Sequence, residues 1–408
     1  MLKADLKMGF RMVLKKVKIL IIVVFLSAVG IVMFFYLSMP VYQFVEPQPF
    51  HGKVLHNPYQ HIDSVSWRKY NFQVQSRAWG GLTDGRDNSD HMIDSIYKLF
   101  GYDYVATSDY QRINMYHSGS KQFIPTYEHG YNIPKIHQVC IGAKRVLWRD
   151  YFLFQTLNTK QHVINELRSD CEIIALAHPR LKDGYSISDM QYLSGYDLME
   201  VLNNFRISDE HWDAALSSGH RSYILANDDA HNVLNSNEVG RRFTLIHSNS
   251  LHRDSIIDAL RNGVAYGVDF YRVDDEPMEK KMKRSKFIPF VKQARLFGDT
   301  LKIRVSETVK HIYFIGDHGK IKFEMDQVSE AKYVIEEKDS YIRVEIHCND
   351  ASVLYLNPVT RQETNQVENQ ITFKINWLQT WILRSFGVIL LFFIILIFWF
   401  FIKRKSVT

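Results

Sequence analysis

Two apolar segments, one near each end of the 408-residue chain, constrain its fold more than any other feature. Residues 19–38 and 384–402 consist almost entirely of aliphatic and aromatic side chains. Each approaches the roughly 20 apolar residues that a helix needs to cross a bilayer. The neighbouring lysines and arginines lie on the chain-terminal sides, in tails 1–18 and 403–408. By the positive-inside rule, we predict an integral membrane protein with both termini cytoplasmic and its main domain extracytoplasmic.

Other features of the sequence argue against several classes of protein. A cleaved signal peptide is the alternative for the first segment, but the apolar stretch is long and no small-residue cleavage pattern precedes Pro40. The spans contain few polar residues and give no support for an ion pathway. Much of the formal charge of +6 lies in the tails, so nucleic-acid binding is not inferred. Three cysteines, Cys140, Cys171 and Cys348, have no metal-ligand spacing and indicate neither disulfides nor a zinc finger.

Between the two apolar segments, the sequence pattern changes once. After a connector at 39–69, apolar runs typical of strands alternate with helical patterns over 70–273. This alternation predicts an α/β layered or barrel domain with mainly parallel strands. Over 290–360 only short alternating runs occur, separated by turn residues such as Gly316 and Asp317. We therefore expect a small antiparallel module of β-sandwich type in that region.

Residue types that bind metals follow the predicted strands of the α/β region. An apolar run at 173–177 leads directly into His178, and Asp229 and His231 share one side of an extended backbone after a second run. Reactive groups collect where the carboxyl ends of such strands open into loops. A lone histidine in a chain with seventeen is more often structural, so the prediction depends on convergence of the set. The candidate ligands are Glu128, His137, His178, Asp229 and His231.

The order and spacing of these motifs resemble the PHP superfamily, which comprises polymerase-associated and histidinol-phosphatase-type metallo-phosphoesterases. The resemblance covers roughly residues 70–269, about half of the chain. It implies a distorted (β/α)7 barrel that holds up to three divalent metals and hydrolyses phosphate esters. In chain order, the residues that carry it are Gln73 and Gln75, Thr83-Asp84-Gly85, the strand at 101–110, Ile124-Pro125 before Glu128, His178-Pro179 and Asp229-Ala230-His231.

The sequence departs from the family pattern on its first two strands. The usual His-x-His is replaced by Gln73 and Gln75, and the usual Asp-His is replaced by Asp109 and Tyr110. Because amide oxygens are weak ligands for ions such as Zn²⁺, we expect the two glutamines to bond one another and Asp229 rather than a metal. Tyr110 either donates a hydrogen bond to a substrate phosphate or fills the vacated metal position.

Of the metal positions that the resemblance implies, one is complete. It consists of Glu128, His137 and His178, and three protein ligands plus water form a workable open site. The position beside the glutamine pair keeps two carboxylates, from Glu128 and Asp229, and is weakened. The third position lacks a histidine where Tyr110 stands, and its remaining ligands are His231 and Asp84. We therefore expect fewer than three divalent ions, of zinc, manganese or iron.

These observations predict a membrane-anchored hydrolase, and the resemblance implies a phosphoesterase acting on a phosphorylated small molecule or a phosphodiester. Asp229 and His231 would orient water or protonate the leaving group. Arg180 is a candidate phosphate-binding guanidinium, or else an ordinary solvent-exposed loop residue. Two alternatives stay open. One is an inactive pseudoenzyme that serves as an extracytoplasmic binding or scaffold module, and the other is a hydrolase of amides or carboxylic esters.

Overall fold

The computed structural model describes residues 2–62, 66–82, 85, 87–364 and 373–404. Ser89, Thr156 and Ser186 cap α2, α3 and α4, since the side chain of each accepts a backbone hydrogen bond from the first turn. The helices are α1 (Leu2–Ser38), α2 (Asp90–Leu99), α3 (Leu157–Arg168), α4 (Ile187–Tyr192), α5 (Asp209–Ser217), α6 (Arg253–Arg261), α7 (Met278–Arg284) and α8 (Trp377–Arg404).

The two terminal helices contain the predicted apolar segments. Val13–Ser38 and Trp377–Phe400 are long and apolar enough to cross a membrane, by length and composition. The predicted tail at 1–18 does not form a separate element, because α1 begins at Leu2. Near the folded region the two helices meet, where the guanidinium of Arg384 donates to the carbonyls of Leu37 (3.2 Å) and Ser38 (3.0 Å). The sidedness of the chain in a membrane stays a prediction.

The strands form three sheets. In chain order they are β1 (Tyr42–Phe44), β2 (Val54–His56), β3 (Trp67–Asn71), β4 (Tyr104–Val105), β5 (Thr126–His129), β6 (Gln138–Ile141), β7 (Ile173–Leu176), β8 (Leu198–Asn203), β9 (Arg206–Ile207), β10 (Tyr223–Asn227), β11 (Arg242–His247), β12 (Ala265–Asp269), β13 (Val291–Phe297), β14 (Thr300–Gly316), β15 (Lys320–Val334), β16 (Tyr341–His347), β17 (Val353–Gln362) and β18 (Phe373–Ile375).

One six-stranded sheet has the order β10-β8-β7-β6-β5, with β9 paired to β8. The pairs β7–β8 and β8–β10 are parallel, whereas β5–β6 and β6–β7 are antiparallel. Every residue of β7, β8 and β10 is buried. Burial along whole strands explains why these segments read as continuous apolar runs in the sequence.

The ten-stranded sheet has the order β13-β14-β16-β17-β12-β11-β3-β4, with β15 paired to β14 and β2 to β17. The antiparallel strands predicted for 290–360 are present here. They do not form a sheet of their own, however, because β17 pairs with β12 and thereby continues into β11, β3 and β4. A further pair, β1 with β18, joins the segments next to α1 and α8.

None of the sheets formed by the described residues closes into a barrel. The predicted distorted (β/α)7 barrel is therefore not present as a closed sheet. Beyond the ends of β3 and β4, the described residues connect the ten-stranded and six-stranded sheets through single bridges, at Val74–Ala230 and Tyr110–Glu128. One hydrogen bond, from the amide of Gln75 to the carbonyl of Ala230 (3.1 Å), accompanies the first bridge. The candidate site residues lie along this gap between the two sheets.

Candidate metal centre

Three candidate ligands are delivered by the β5–β6 hairpin and by the end of β7. Glu128 lies on β5, His137 immediately precedes β6, and His178 follows β7 by two residues. The hairpin turn makes room for the imidazole through Gly130, whose φ is 129°. A Cβ atom at this glycine would lie only 2.4 Å from Cδ2 of His137. The local sequence thus places an imidazole directly beside the carboxylate.

The three side chains form a compact, buried group. Their potential ligand atoms all lie within 4.8 Å of one another. One carboxylate oxygen, Oε1 of Glu128, lies 2.5 Å from Nδ1 of His137 and 3.4 Å from Nε2 of His178. The relative exposures of Glu128, His137 and His178 are 0%, 1% and 2%. The predicted convergence of a carboxylate and two imidazoles is therefore present in the structure.

The charges of this group are strongly coupled. Burial alone would raise the pKa of the Glu128 carboxyl, but the charges and hydrogen bonds of His137 and His178 hold that pKa well below its usual range. Burial alone would lower the pKa of His178, but the hydrogen bond to Glu128 and the charge of Asp229 raise it to about 9. Both effects stabilise an ion pair between the Glu128 carboxylate and a protonated His178, whereas burial lowers the pKa of His137.

Two further carboxyl groups face the same site. Burial and the negative charge of Glu128 together raise the pKa of Asp229 to about 6, against the lowering effect of His231 and His178. Burial also raises the pKa of Glu200 to about 8, with Asp229 adding to the effect. Buried carboxyl groups whose pKa stays raised despite the nearby His178 are stabilised in their charged form by a bound cation.

Several buried polar atoms of the site have no hydrogen-bond partner. Such atoms are rare in folded proteins and each costs free energy, so a concentration of them requires an explanation. A divalent cation is smaller than a water molecule, and the ligand types present suit Zn²⁺, Mn²⁺ or Fe²⁺. The residues therefore fit a metal ion. The unpartnered atoms are Nε2 of His137, Nδ1 of His178, Oδ1 of Asp229, Nδ1 of His231, Oε1 of Gln75 and both side-chain amide atoms of Gln73.

The backbone is strained at two of the predicted ligands. His178 has a φ of 32° and Asp229 a φ of 47°, in the left-handed region that non-glycine residues seldom occupy. Each residue comes two positions after the end of its strand, β7 or β10. Strain of this kind persists where the surrounding structure holds a residue in place, and it concentrates at functional sites.

Asp229 and His231 border the buried group. Oδ2 of Asp229 accepts a hydrogen bond from Nδ2 of Asn203 (3.0 Å), and its Oδ1 lies 3.6 Å from Nε2 of His231. The His231 side chain is 19% exposed and packs near Phe205, with ring centroids 5.9 Å apart. His231 therefore lies between the buried ligands and solvent.

The glutamine pair behaves differently from the prediction. Gln73 and Gln75 were expected to bond one another and Asp229, but Nε2 of Gln75 donates to Oε2 of Glu128 at 2.6 Å. Asp229 is instead held by Asn203. Side chains alternate along the chain, so Gln73 and Gln75 share one side of the backbone around Val74. The bridge from Val74 to Ala230 places this segment at the gap between the sheets, where Gln75 meets Glu128.

The remaining predicted residues lie at different distances from the group. The ring of Tyr110 packs edge-on against His137, with centroids 5.4 Å apart, and thus occupies space beside an imidazole. Asp109 faces away, since its carboxylate accepts from the amide and hydroxyl of Ser76. Arg180 is exposed and its guanidinium donates to the carbonyl of Ile207 (3.4 Å). Asp84 lies outside the described residues.

Two residues of the site were missed by the sequence analysis. Glu200 is fully buried on β8 and accepts from the His178 amide (2.9 Å) and from Nδ2 of Asn227 (2.8 Å). Nδ2 of Asn203 lies between Glu200 (2.9 Å) and Asp229 (3.0 Å) and connects the two carboxyl groups. The available signal was a carboxylate within the apolar run of β8, since charged residues are almost never fully buried unless paired.

Comparisons with known proteins give little beyond this geometry. No family model matches the sequence, and no curated protein matches it. Among solved structures, a two-domain protein from Bacteroides vulgatus, described as containing a predicted PHP-like metal-dependent phosphoesterase, is distantly similar. The TM-score is 0.38 and the identity 11%, over 78% of this chain and 92% of that chain.

Proposed function

We propose that this chain is a membrane-anchored, metal-dependent hydrolase of phosphate esters with a reduced metal centre. One observation carries the proposal: Glu128, His137 and His178 converge in the interior while ring nitrogens of both histidines lack partners. A purely structural ion pair would be expected to satisfy its buried atoms. We expect one divalent ion, zinc, manganese or iron, at these three residues, with Asp229 as an additional oxygen ligand or a base beside it.

Each residue has a role that follows from its position. A divalent cation bound there would supply Lewis acidity toward water and phosphoryl oxygens. Asp229 is buried beside the candidate ligands and His231 lies between them and solvent, so the two can orient an attacking water and return a proton to the leaving oxygen. Asn203 keeps Asp229 oriented through its 3.0 Å hydrogen bond.

The phosphate-ester class follows from the sequence resemblance and agrees with the basic side chains around the site. Nζ of Lys135 lies 5.5 Å from the ring centroid of Tyr110, which itself contacts His137. Arg180 follows His178 by two residues and has an exposed guanidinium. Lysine and arginine are the side chains that bind phosphate oxygens best. We propose both as substrate-binding residues.

A second candidate function is supported by Gln75. Its Nε2 donates a hydrogen bond to Oε2 of Glu128 at 2.6 Å. This carboxylate oxygen is therefore already bonded and is not free to bind a second metal ion. A pocket closed in this way suits a pseudoenzyme that binds a ligand without turnover. The two candidates share the fold and the anchors and differ in whether the centre hydrolyses a substrate.

The test uses the full chain purified in detergent. We expect about one zinc, manganese or iron per chain after dialysis, and metal-dependent hydrolysis of an aryl phosphate or bis-aryl phosphate. His178→Ala should abolish both. The matched control is His162→Ala, because His162 is also buried but lies on α3, away from the site, where its Nδ1 contacts the Tyr151 hydroxyl at 2.5 Å. That variant should keep its metal and its activity.

Each result separates the candidates. Bound metal without hydrolysis of either phosphate probe favours the pseudoenzyme, and cleavage of an aryl acetate alone favours the carboxylic ester alternative. A wild-type chain that binds none of the three ions, zinc, manganese or iron, contradicts the proposal.

A further inference from the structure

An exposed aromatic surface lies between the outer end of α1 and the candidate metal centre. We define this surface by the side chains of Trp79, Tyr131, Trp148, Phe152 and Phe154, which are 43–57% exposed. Soluble proteins seldom expose several large aromatic side chains together, and such patches mark interaction sites.

One end of the aromatic surface is attached to α1. The Tyr36 hydroxyl donates to the carbonyl of Phe154 (2.7 Å) and accepts from its amide (3.0 Å), and the two rings lie 4.8 Å apart. Nη1 of Arg149 donates to the hydroxyl of Ser38, the last residue of α1 (3.0 Å). If α1 spans a bilayer, this loop lies at the depth of the lipid headgroups, where tryptophan and tyrosine are enriched.

The other end of the surface reaches the candidate metal centre. Trp148 packs against Trp79, with ring centroids 6.0 Å apart, and Nε1 of Trp79 donates to the carbonyl of Tyr110 (2.8 Å). Tyr110 in turn contacts the ring of His137. The chain from Trp148 to Phe154 therefore joins the end of α1, at one side, to contacts that reach a candidate ligand at the other.

Basic side chains accompany this path. Lys135 lies over the ring of Tyr110, and Lys144 is exposed shortly before Trp148 in the chain. Arg145, which is also exposed, is paired with Asp170 at 2.9 Å. Each lysine or arginine near a membrane surface adds to the attraction for anionic headgroups. Aromatic and basic residues together are the composition of membrane-surface segments.

We propose that the aromatic surface rests in the headgroup region of the bilayer and that the centre acts on the phosphate group of a membrane lipid. This inference rests on the proposed function and names its substrate class. Hydrolysis would join a water oxygen to phosphorus, break the bond between phosphorus and the ester oxygen, and transfer a proton to the lipid alcohol. Phosphate or a phosphomonoester leaves, depending on the lipid.

The membrane contact is tested without reference to activity. The three native cysteines are buried, so a cysteine introduced by Phe152→Cys can be labelled selectively with a bimane fluorophore. In full-length protein reconstituted with brominated phosphatidylcholine, we expect strong quenching of this label. The matched control is Phe287→Cys, because Phe287 is 82% exposed and its neighbours Lys286 and Ile288 line a cavity with Trp67 at the opposite end of β3 from the site. Equal quenching at the two positions overturns the membrane contact.

The substrate class is tested with two probes on the same reconstituted protein: phosphatidic acid in phosphatidylcholine bilayers and soluble p-nitrophenyl phosphate. Phe152→Ser combined with Phe154→Ser should lower the ratio of lipid to aryl phosphate hydrolysis by about tenfold, because two large apolar side chains no longer enter the bilayer. Phe287→Ser should keep the wild-type ratio. Hydrolysis of the aryl phosphate without hydrolysis of the lipid overturns the lipid substrate and leaves the proposed function standing. Failure to hydrolyse either probe, with no bound metal, overturns the proposed function itself.

Discussion

The molecule contains two buried ionic clusters that resemble each other in composition and differ in how their polar atoms are used. In the first, the candidate metal centre, Glu128 is surrounded by His137 and His178. In the second, Asp213 of α5 meets Arg343 of β16. Both clusters bury a carboxylate against cationic side chains, at 0–6% relative exposure.

The Asp213–Arg343 cluster is completely hydrogen-bonded in the described structure. Nε and Nη2 of Arg343 each donate to Asp213 at 2.7 Å, and the Tyr341 hydroxyl donates to the same carboxylate at 2.8 Å. The remaining Nη1 donates to Glu345 at 2.5 Å. Although burial would lower the pKa of Arg343, these bonds raise it above its ordinary value. The cluster has the bidentate geometry of a structural ion pair.

The candidate metal centre, by contrast, leaves imidazole nitrogens, an Asp229 oxygen and glutamine amide atoms without partners. The comparison teaches that burial of charge does not by itself indicate a function. What distinguishes the two clusters is whether the protein alone satisfies the buried atoms. A group that needs a further ion or ligand leaves them unsatisfied.

The largest expected effect is on metal binding. Glu128→Gln should lower metal affinity by more than the roughly 10–100-fold typical of groups that only orient a ligand, since a charged ligand becomes an amide. Metal content after dialysis and isothermal titration measure it. Glu345→Gln, in the other cluster, is the control and should bind metal normally. Unchanged metal content in Glu128→Gln would show that the two clusters are both structural.

A variant in the Asp213–Arg343 cluster tests how much that ion pair contributes to stability. Arg343→Met leaves Asp213 buried without its cation and should lower the free energy of unfolding by about 3–5 kcal/mol. Denaturant titration of the detergent-solubilised chain without added metal measures this loss. Adding Asp213→Leu should recover most of it, because the unpaired charge is then removed. A loss well under 1 kcal/mol for Arg343→Met would break the contrast between the clusters.

Replacing the glutamines sharpens the comparison further. Gln73→His together with Gln75→His supplies imidazoles beside Glu128 and Asp229, and imidazole binds zinc better than an amide does. We expect affinity for a second ion to rise by about tenfold or more, seen as an increased metal-to-protein ratio. His162→Gln is the control, because it changes the number of histidines away from the site and should leave the metal-to-protein ratio unchanged. A ratio that stays at one would mean that Gln75 is not at a metal position.

The smallest expected effect concerns Gln73. Because both of its buried amide atoms lack partners, Gln73→Met should raise the free energy of unfolding of the metal-free chain by about 1 kcal/mol. Gln138→Met is the matched control, since Gln138 is also buried but bonds His129 and Tyr185. It should destabilise the chain by a similar amount. Destabilisation by Gln73→Met would show that its amide has a partner in solution.

Much of the local structure followed from the sequence, but the connections between distant segments did not. The run at 173–177 predicted a buried strand ending at His178, and β7 is such a strand. The antiparallel strands of 290–360 were also predicted, but their continuation into β12 was not, because nothing local in β12 and β17 shows that they pair across more than eighty residues. The predicted closed barrel was not found for a related reason, since in the described part of the chain single bridges, rather than a continuous strand pairing, connect the two sheets.

By itself, the sequence determined the apolar terminal helices, the strand that carries His178, and the residue types available to bind a metal. These properties depend on periodicity and side-chain chemistry within short segments. Only the tertiary structure decided that Glu128 meets His137 and His178, that Gln75 bonds the carboxylate, and that an aromatic loop joins α1 to the site. Such contacts join residues up to about a hundred positions apart, and their formation depends on how whole sheets and helices pack rather than on any local pattern.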